Sequence, residues 1–435
     1  MPVTSARAAP AAAPAALAPV KPVIGDFGLD LSAGNHSVKP GDDFFAYANG
    51  AWYDAFTIPA DHSSFGPFDK LDELSKQRVR AIIEQAAAAH AASGTPEQQI
   101  GDFYAAFMDE AAIEANGLAP VQADLQRIAA ANTRQELAHL FGEPGFASLF
   151  DVQLPADFKN PDRYSVFISQ STLGLPDRDY YLKDDPQLKE LRAKYVAYIA
   201  QLLTLGGASD AQAQARDIMA FETAAAKVQW PIEKRRDVQA IYNPRSKQQL
   251  LAFAPAFPWQ AFLEAQQLGV RQELVVAELS AIHDLAELFN RTAVTTLQAF
   301  LTFHYLSSHA QYLPRRFDEA RFAFYGQTMR GQPQQRERWK RGVDAVDGAL
   351  GESVGRLYVV QYFPPDSKAK MQQLVTDLRA ALSQRIDALD WMTPPTKSRA
   401  HEKLATFTLK IGYPDEWKDY AALTIRRDLD RKSVV

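Results

Sequence analysis

The sequence predicts a mainly α protein, a multi-helix body with one small β-hairpin, and three observations carry that prediction. Apolar residues recur at helical spacing in long stretches between Phe68 and Leu404. The alternation that marks strands is confined to residues 146–170 and to Phe407, Leu409 and Ile411. Gly94, Gly206-Gly207 and Pro394-Pro395 stand at the ends of the helical stripes, where a helix stops or starts.

In chain order, Pro40-Gly41-Asp42-Asp43 opens the folded region, with Asp42 or Asp43 placed to cap a short aromatic helix over Phe44–Ala48. Leu71, Leu74, Val79, Ile82 and Ile83 predict a long helix from Phe68 to about His90, and further helices follow over Glu97–Asn116 and Leu118–Ala131. Leu149–Leu154 and Tyr164–Ile168, around a Pro/Asn/Asp turn, predict a hairpin. Leu188, Leu191, Tyr195, Ile199 and Leu202 form the next helical stripe; helices are then expected over Ala211–Lys227 and from Asp284 to Leu306. Leu374, Leu378, Leu382, Ile386 and Leu389 mark another, and Thr393-Pro394-Pro395 begins one that runs to Leu404. The last element is a short strand over Phe407–Ile411, followed by the turn Gly412-Tyr413-Pro414.

Composition narrows the function classes. Of 435 residues 47% are hydrophobic and 23% charged, enough to bury a large core, and a net charge of -5 gives no global basic excess for nucleic acid. With no cysteine, disulfides, thiolate metal sites and cysteine nucleophiles are excluded. Pro10, Pro14, Pro19 and Pro22 interrupt every apolar stretch of the Ala/Pro-rich first 24 residues, which therefore read as a flexible leader rather than an export signal. No later segment reaches the roughly 18 apolar residues of a membrane helix.

His401-Glu402-Lys403-Leu404-Ala405 begins like H-E-x-x-H, in which two histidines four apart share a helix face and grip zinc while the glutamate serves as general base. It ends in alanine, and the motif occurs nowhere else in the chain. Four other segments carry a resemblance, in order. They are Pro40–Trp52 with Ile58-Pro59-Ala60-Asp61 and Ser64-Phe65-Gly66; Leu173-Gly174-Leu175-Pro176-Asp177-Arg178-Asp179-Tyr180-Tyr181-Leu182; Tyr242-Asn243-Pro244; and Trp339-Lys340-Arg341 with Val346–Gly351, before Lys410–Asp415. Together they resemble the N-terminal part of the neprilysin-like zinc metalloendopeptidases, over about Gly41 to Ile425.

The resemblance implies a two-lobed, mainly helical peptidase whose helical lid covers a zincin-like α+β catalytic lobe, enclosing a chamber for small peptides. It implies a flexible leader at 1–35, a first piece of the catalytic lobe at 36–70, the lid at 71–362, the start of the catalytic lobe at 363–425 and a divergent tail at 426–435. The family holds its zinc with H-E-x-x-H and the glutamate of a downstream E-x-x-x-D, and binds substrate backbone with N-A-x-Y; H-E-x-x-H and N-A-x-Y do not occur here, and so no E-x-x-x-D stands downstream of an H-E-x-x-H. The expectation is an N-terminal portion without a catalytic, cofactor or metal residue, inactive by itself. Zinc and peptide substrates belong to the full-length family, and a periplasmic or extracytoplasmic location is what the resemblance suggests. A non-catalytic binding or structural module is the alternative. Elements of the catalytic lobe would then lack partners, so an ordered middle, Leu71–Tyr362, with poorly anchored ends is expected.

No other residues replace the missing ligands. Catalytic zinc takes three protein ligands and an open position. His304 and His309, five apart, fall on different helix faces; His36, His62, His90, His139 and His283 are scattered, and a lone His401 is read as a surface residue. Gly351-Glu352-Ser353-Val354-Gly355 fits the G-x-S-x-G elbow of serine hydrolases, with Asp387 or Asp390 and His401 following. An elbow needs a buried strand before it, however, and Arg338–Leu350 has helical periodicity. Asp177–Tyr181 reads as an aspartate cap with local ion pairs, and Lys234-Arg235-Arg236 and Arg330–Arg341 read as solvated basic faces.

Overall fold

A computed structural model describes residues 30–427. About 64% of the chain is helical, so the mainly α class holds. The chain divides into two compact units, residues 1–59 and 60–435.

In the first unit Asp43 caps the aromatic helix, its carboxylate accepting from Ala46 N at 2.8 Å. The helix runs further than expected, over Phe44–Ala55.

In the second unit the long stripes fold as helices at Pro67–Ala89, Ala119–Ala130, Pro186–Leu205, Ala211–Val228, Pro365–Ala388 and Pro394–Ala405. Two expected helices are each broken in two. Glu97–Asn116 splits into Pro96–Met108 and Glu110–Asn116 because Asp109 turns its carboxylate onto Ala112 N, capping a new helix. Asp284–Leu306 is really Leu279–Arg291 and Val294–His309, separated at Thr292 and Ala293, both extended, with no Gly or Pro to signal the break.

The hairpin forms as β1 (Phe150–Gln153) and β2 (Phe167–Gln170), antiparallel with Val152 opposite Ile168. It is half of a larger sheet. β4 (Glu273–Val276) pairs parallel to β2, and β3 (Pro244–Ser246) closes the order β1-β2-β4-β3. Neither carries an alternation for the sequence to show, Leu274, Val275 and Val276 of β4 being buried in a row, and Pro244 starts an edge strand where its missing N–H costs no ladder bond. The expected strand Phe407–Ile411 does not form: the segment has no ladder partner among the described residues.

Two apolar cores result. The larger joins the sheet, through Phe150, Ile168 and Val276, to the helices between Val121 and Phe324. The smaller packs Pro67–Ala89, Pro96–Met108 and Arg338–Tyr362 around Ile83, Ile100, Phe103, Val346 and Leu350. Ile425 completes it at 4% exposure, and Gln99 Nε2 donates to the carbonyls of Tyr420 and Leu423. The stretch 420–425 is thus anchored, contrary to the expectation of a loose end.

Candidate functional site

The most built constellation lies in the larger core. Glu222 sits in the apolar stripe of Ala211–Val228, between Phe221 and Ala225, and is 0% exposed. A carboxyl so placed is costly without donors, and three groups reach it. The Tyr181 hydroxyl donates to Oε2 at 2.7 Å, the Tyr195 hydroxyl to Oε1 at 3.3 Å, and His304 Nε2 lies 2.6 Å from Oε1. Burial first, and then the charge of Glu222, push both tyrosine hydroxyls well above the ordinary phenol value, so they stay protonated as donors.

The Leu173–Leu182 segment is drawn onto this network. Leu175 N donates to the Tyr181 hydroxyl at 2.8 Å, and the Tyr325 hydroxyl donates to Gly174 O at 2.9 Å. Gly174 lies so close that a Cβ there would stand 1.7 Å from the Tyr195 oxygen and 3.2 Å from His304 Cε1. Asp177 caps the next turn through Asp179 N at 2.7 Å, and Asp179 pairs with Lys183, as the cap-and-ion-pair reading has it.

Beside the network opens a cavity of about 260 Å³, lined by His304, Leu173, Ser171, Asp151, Phe146 and Phe300 among others. His304 thus bridges a buried carboxyl and a partly open space, which fixes the ring and leaves one edge, 17% exposed, toward the cavity. Sequence reasoning missed Glu222. The available signal was an acidic residue at a core position of a helical stripe.

The other resembling segments also meet in polar bolts. Lys340, 9% exposed, donates to Asp61 and Glu73 at 3.0 Å each, and His62 Nδ1 lies 2.8 Å from Asp61. Partial burial opposes ionisation of Asp61, but hydrogen bonds from His62 and Lys340 outweigh it and hold the carboxyl below its ordinary value. Burial likewise opposes the Lys340 charge, and Glu73 and Asp61 overcome it, raising the ammonium. The Tyr242 hydroxyl donates to Asp157 at 2.8 Å. Ser165, against the effect of burial, and then Lys159 N and Tyr242 hold that carboxyl far below the usual range. Asn243 Nδ2 donates to the carbonyls of Ala240, Val276 and Ala277, tying β4 to the turn before β3.

The single histidines find local partners. His139 lies by Glu143, His283 by Asp284, His36 edge-on to Tyr47, and His309 Nδ1 against Tyr305 O, while His90 ends its helix in the left-handed region. His401 Nε2 lies 2.7 Å from Asp387, and its Nδ1 3.3 Å from Ser383 Oγ. The serine-elbow reading fails on geometry. Ser353 sits inside the Arg338–Tyr362 helix, 8% exposed, with no strand before it, and the hydroxyl beside His401 belongs to Ser383. Lys234 stands over the Trp230 ring at 3.5 Å and Arg235 pairs with buried Glu278 at 2.7 Å, so that basic run is partly engaged rather than wholly solvated. The second basic run is engaged too: besides Lys340, Arg338 donates to Phe107 O and Arg341 pairs with Asp318 at 2.6 Å.

Comparison with known proteins gives this arrangement its relatives. The model of peptidase family M13 matches residues 40–414. Human endothelin-converting enzyme 1 is 30% identical over 405 residues, covering 88% of this chain and 52% of that protein. The zinc metalloprotease Zmp1 of Mycobacterium tuberculosis, in complex with an inhibitor, superposes with a TM-score of 0.88 at 37% identity, covering 94% of this chain and 62% of the other. PepO from Lactobacillus rhamnosis shares the fold at a TM-score of 0.78 and 21% identity. The chain spans about half the length of the curated relatives it matches.

Proposed function

The chain belongs to peptidase family M13, and from that premise we propose that it is the lid-bearing portion of a zinc endopeptidase for small peptides. The observation that carries this reading is the run of matching segments from residue 40 to residue 414, in one order and on one fold. On this reading residues 71–362 form the lid, while 36–70 and 363–425 belong to the catalytic lobe. The buried Glu222 network then serves to shape the lid. It fixes the Leu173–Leu182 segment and three helices around one carboxyl, and does no bond chemistry itself.

Zinc in such a peptidase polarises the scissile carbonyl and activates a water. The 435 residues contain no H-E-x-x-H, and His401 is held by Asp387 and Ser383 rather than by a second histidine. We therefore propose that this polypeptide alone neither retains zinc nor cleaves peptides, and that Ala405→His does not restore activity. Among the described residues no helix is long and apolar enough to cross a membrane; an extracytoplasmic location is proposed from the family resemblance. Metal analysis after dialysis, with a quenched fluorogenic peptide assay, tests the reading. The expected result is sub-stoichiometric zinc and no turnover. Tight stoichiometric zinc with chelator-sensitive cleavage would overturn it.

A further inference from the structure

The cavity beside the Glu222 network is short of positive charge. Among the described residues no lysine or arginine lines it, whereas Glu143, Asp151 and His304 do. The carboxylates are not alike. Arg127 pairs with Glu143, and His139 Nε2 lies 3.2 Å from the same oxygen, so that charge is already matched. Asp151 accepts from the neutral Gln153 amide at 2.7 Å and enters no ion pair among the described residues. Behind the wall, Glu222 accepts from two tyrosine hydroxyls and the His304 ring, and with a neutral ring none of the three offsets its charge. The same contact fixes the His304 tautomer. An ionised carboxylate has no hydrogen to give, so Nε2 carries the one shared with Glu222, and Nδ1 of the neutral ring keeps a lone pair that no donor among the described residues meets. Ser171 and exposed Thr172 add hydroxyls at the mouth, and Phe141, Phe146 and Phe300 add rings.

We propose that this cavity is a binding site for a small organic ammonium. Its charged head meets acceptors on the wall, Asp151 and His304 Nδ1 foremost, and its apolar body lies among the three phenylalanine rings, whose faces favour a cation. An anion of the same shape is repelled by Asp151 and Glu222, and a neutral one leaves the Asp151 charge unmatched. The volume of about 260 Å³ is at the low end for ligand pockets, so the occupant is a molecule of roughly one amino acid's size. The inference stands apart from the peptidase reading, since neither zinc nor peptide cleavage enters it.

Titration of the 435-residue chain with phenethylamine, phenethyl alcohol and hydrocinnamate separates charge from shape, because the three share a ring and a short chain. Calorimetry is expected to give one saturable site for the amine, with a dissociation constant of about 1 mM or tighter. The alcohol and the carboxylate should bind at least about tenfold more weakly. The amine should also shift the His304 ring resonance, assigned by its loss in His304→Gln, and leave those of His36, His62 and His90 in place. Asp151→Asn should weaken the amine about fivefold. Thr172→Trp, which plugs the mouth from an exposed position, should abolish binding with melting unchanged. Should the tryptophan variant melt early, Asp151→Asn and the three-ligand comparison decide alone. A carboxylate that binds as tightly as the amine, amine affinity untouched by Asp151→Asn, binding that survives Thr172→Trp, or no saturation below about 10 mM overturns the proposal.

Discussion

Gly174 shows how one residue can be dictated by its neighbours rather than by its own backbone. Its φ is not positive, so conformational freedom is not the reason for glycine; the Tyr195 hydroxyl, inside a fully buried ring, occupies the space a methyl would need. Gly174→Ala is expected to lower stability by about 3 kcal/mol, because neither Tyr195 nor the Leu173–Leu182 segment can retreat without breaking bonds to Glu222 or Tyr181. Chemical denaturation checks this, and a loss below about 0.5 kcal/mol would show that the segment is free to move. Lys340 presents a second residue-scale case. Lys340→Met leaves Asp61 and Glu73 facing each other and should cost about 3 kcal/mol, the low end for a broken buried pair because the two carboxylates remain 17% and 19% exposed. The sign of its pH dependence follows from the two shifts. Asp61 titrates below its ordinary 3.8 when folded, so its contribution is present above that value and lost as pH falls through the lower folded value. Lys340 titrates above its ordinary 10.5, so its contribution is full below that value and lost as pH rises through the higher folded one. The stability gap between wild type and Lys340→Met should therefore be flat between these limits and shrink in acid and in alkali. A gap that grew on acidification would rule out the ion-pair account.

At the scale of elements, the long helices were legible because their stripes are long and end at Gly, Pro or a capping Asp. Breaks set by a single side chain were not. Asp109 divides one expected helix through its own carboxylate, and Thr292-Ala293 divides another with no breaker residue, at a point where the distant Arg134 guanidinium donates to the Thr292 carbonyl. Strands were read where the sequence alternates over five or six residues and missed at β3 and β4, where no such alternation runs. Pairing of β3 and β4 depends on partners distant in sequence, and on Asn243, which spends its amide on three carbonyls. Asn243→Ala should cost about 2 kcal/mol, since it leaves the Val276 and Ala277 carbonyls without that donor at the sheet's end. Equilibrium unfolding followed by circular dichroism measures it, and a neutral substitution would show that water replaces the amide. The Phe407–Ile411 alternation did not yield a strand, because a ladder needs a neighbour that periodicity cannot supply.

For the whole molecule, the sequence carried the family and most of the helical body. The candidate site was less visible, since Glu222 and His304 lie 82 residues apart and only the fold brings them together. The expectation of loose ends divides in two. Exchange of amide hydrogens should be slow at 420–425, where Ile425 fills the smaller core, and faster over 371–382, whose apolar side chains are about half exposed. Equal protection of the two stretches would contradict the burial described. The sheet has a consequence of its own. β2 must wait for β4, about a hundred residues later, before its second edge is satisfied, and everything between has to be gathered into one closed loop. During synthesis the hairpin therefore leaves the ribosome with a bare, hydrogen-bond-hungry flank, and the sheet is complete only once Val276 has emerged.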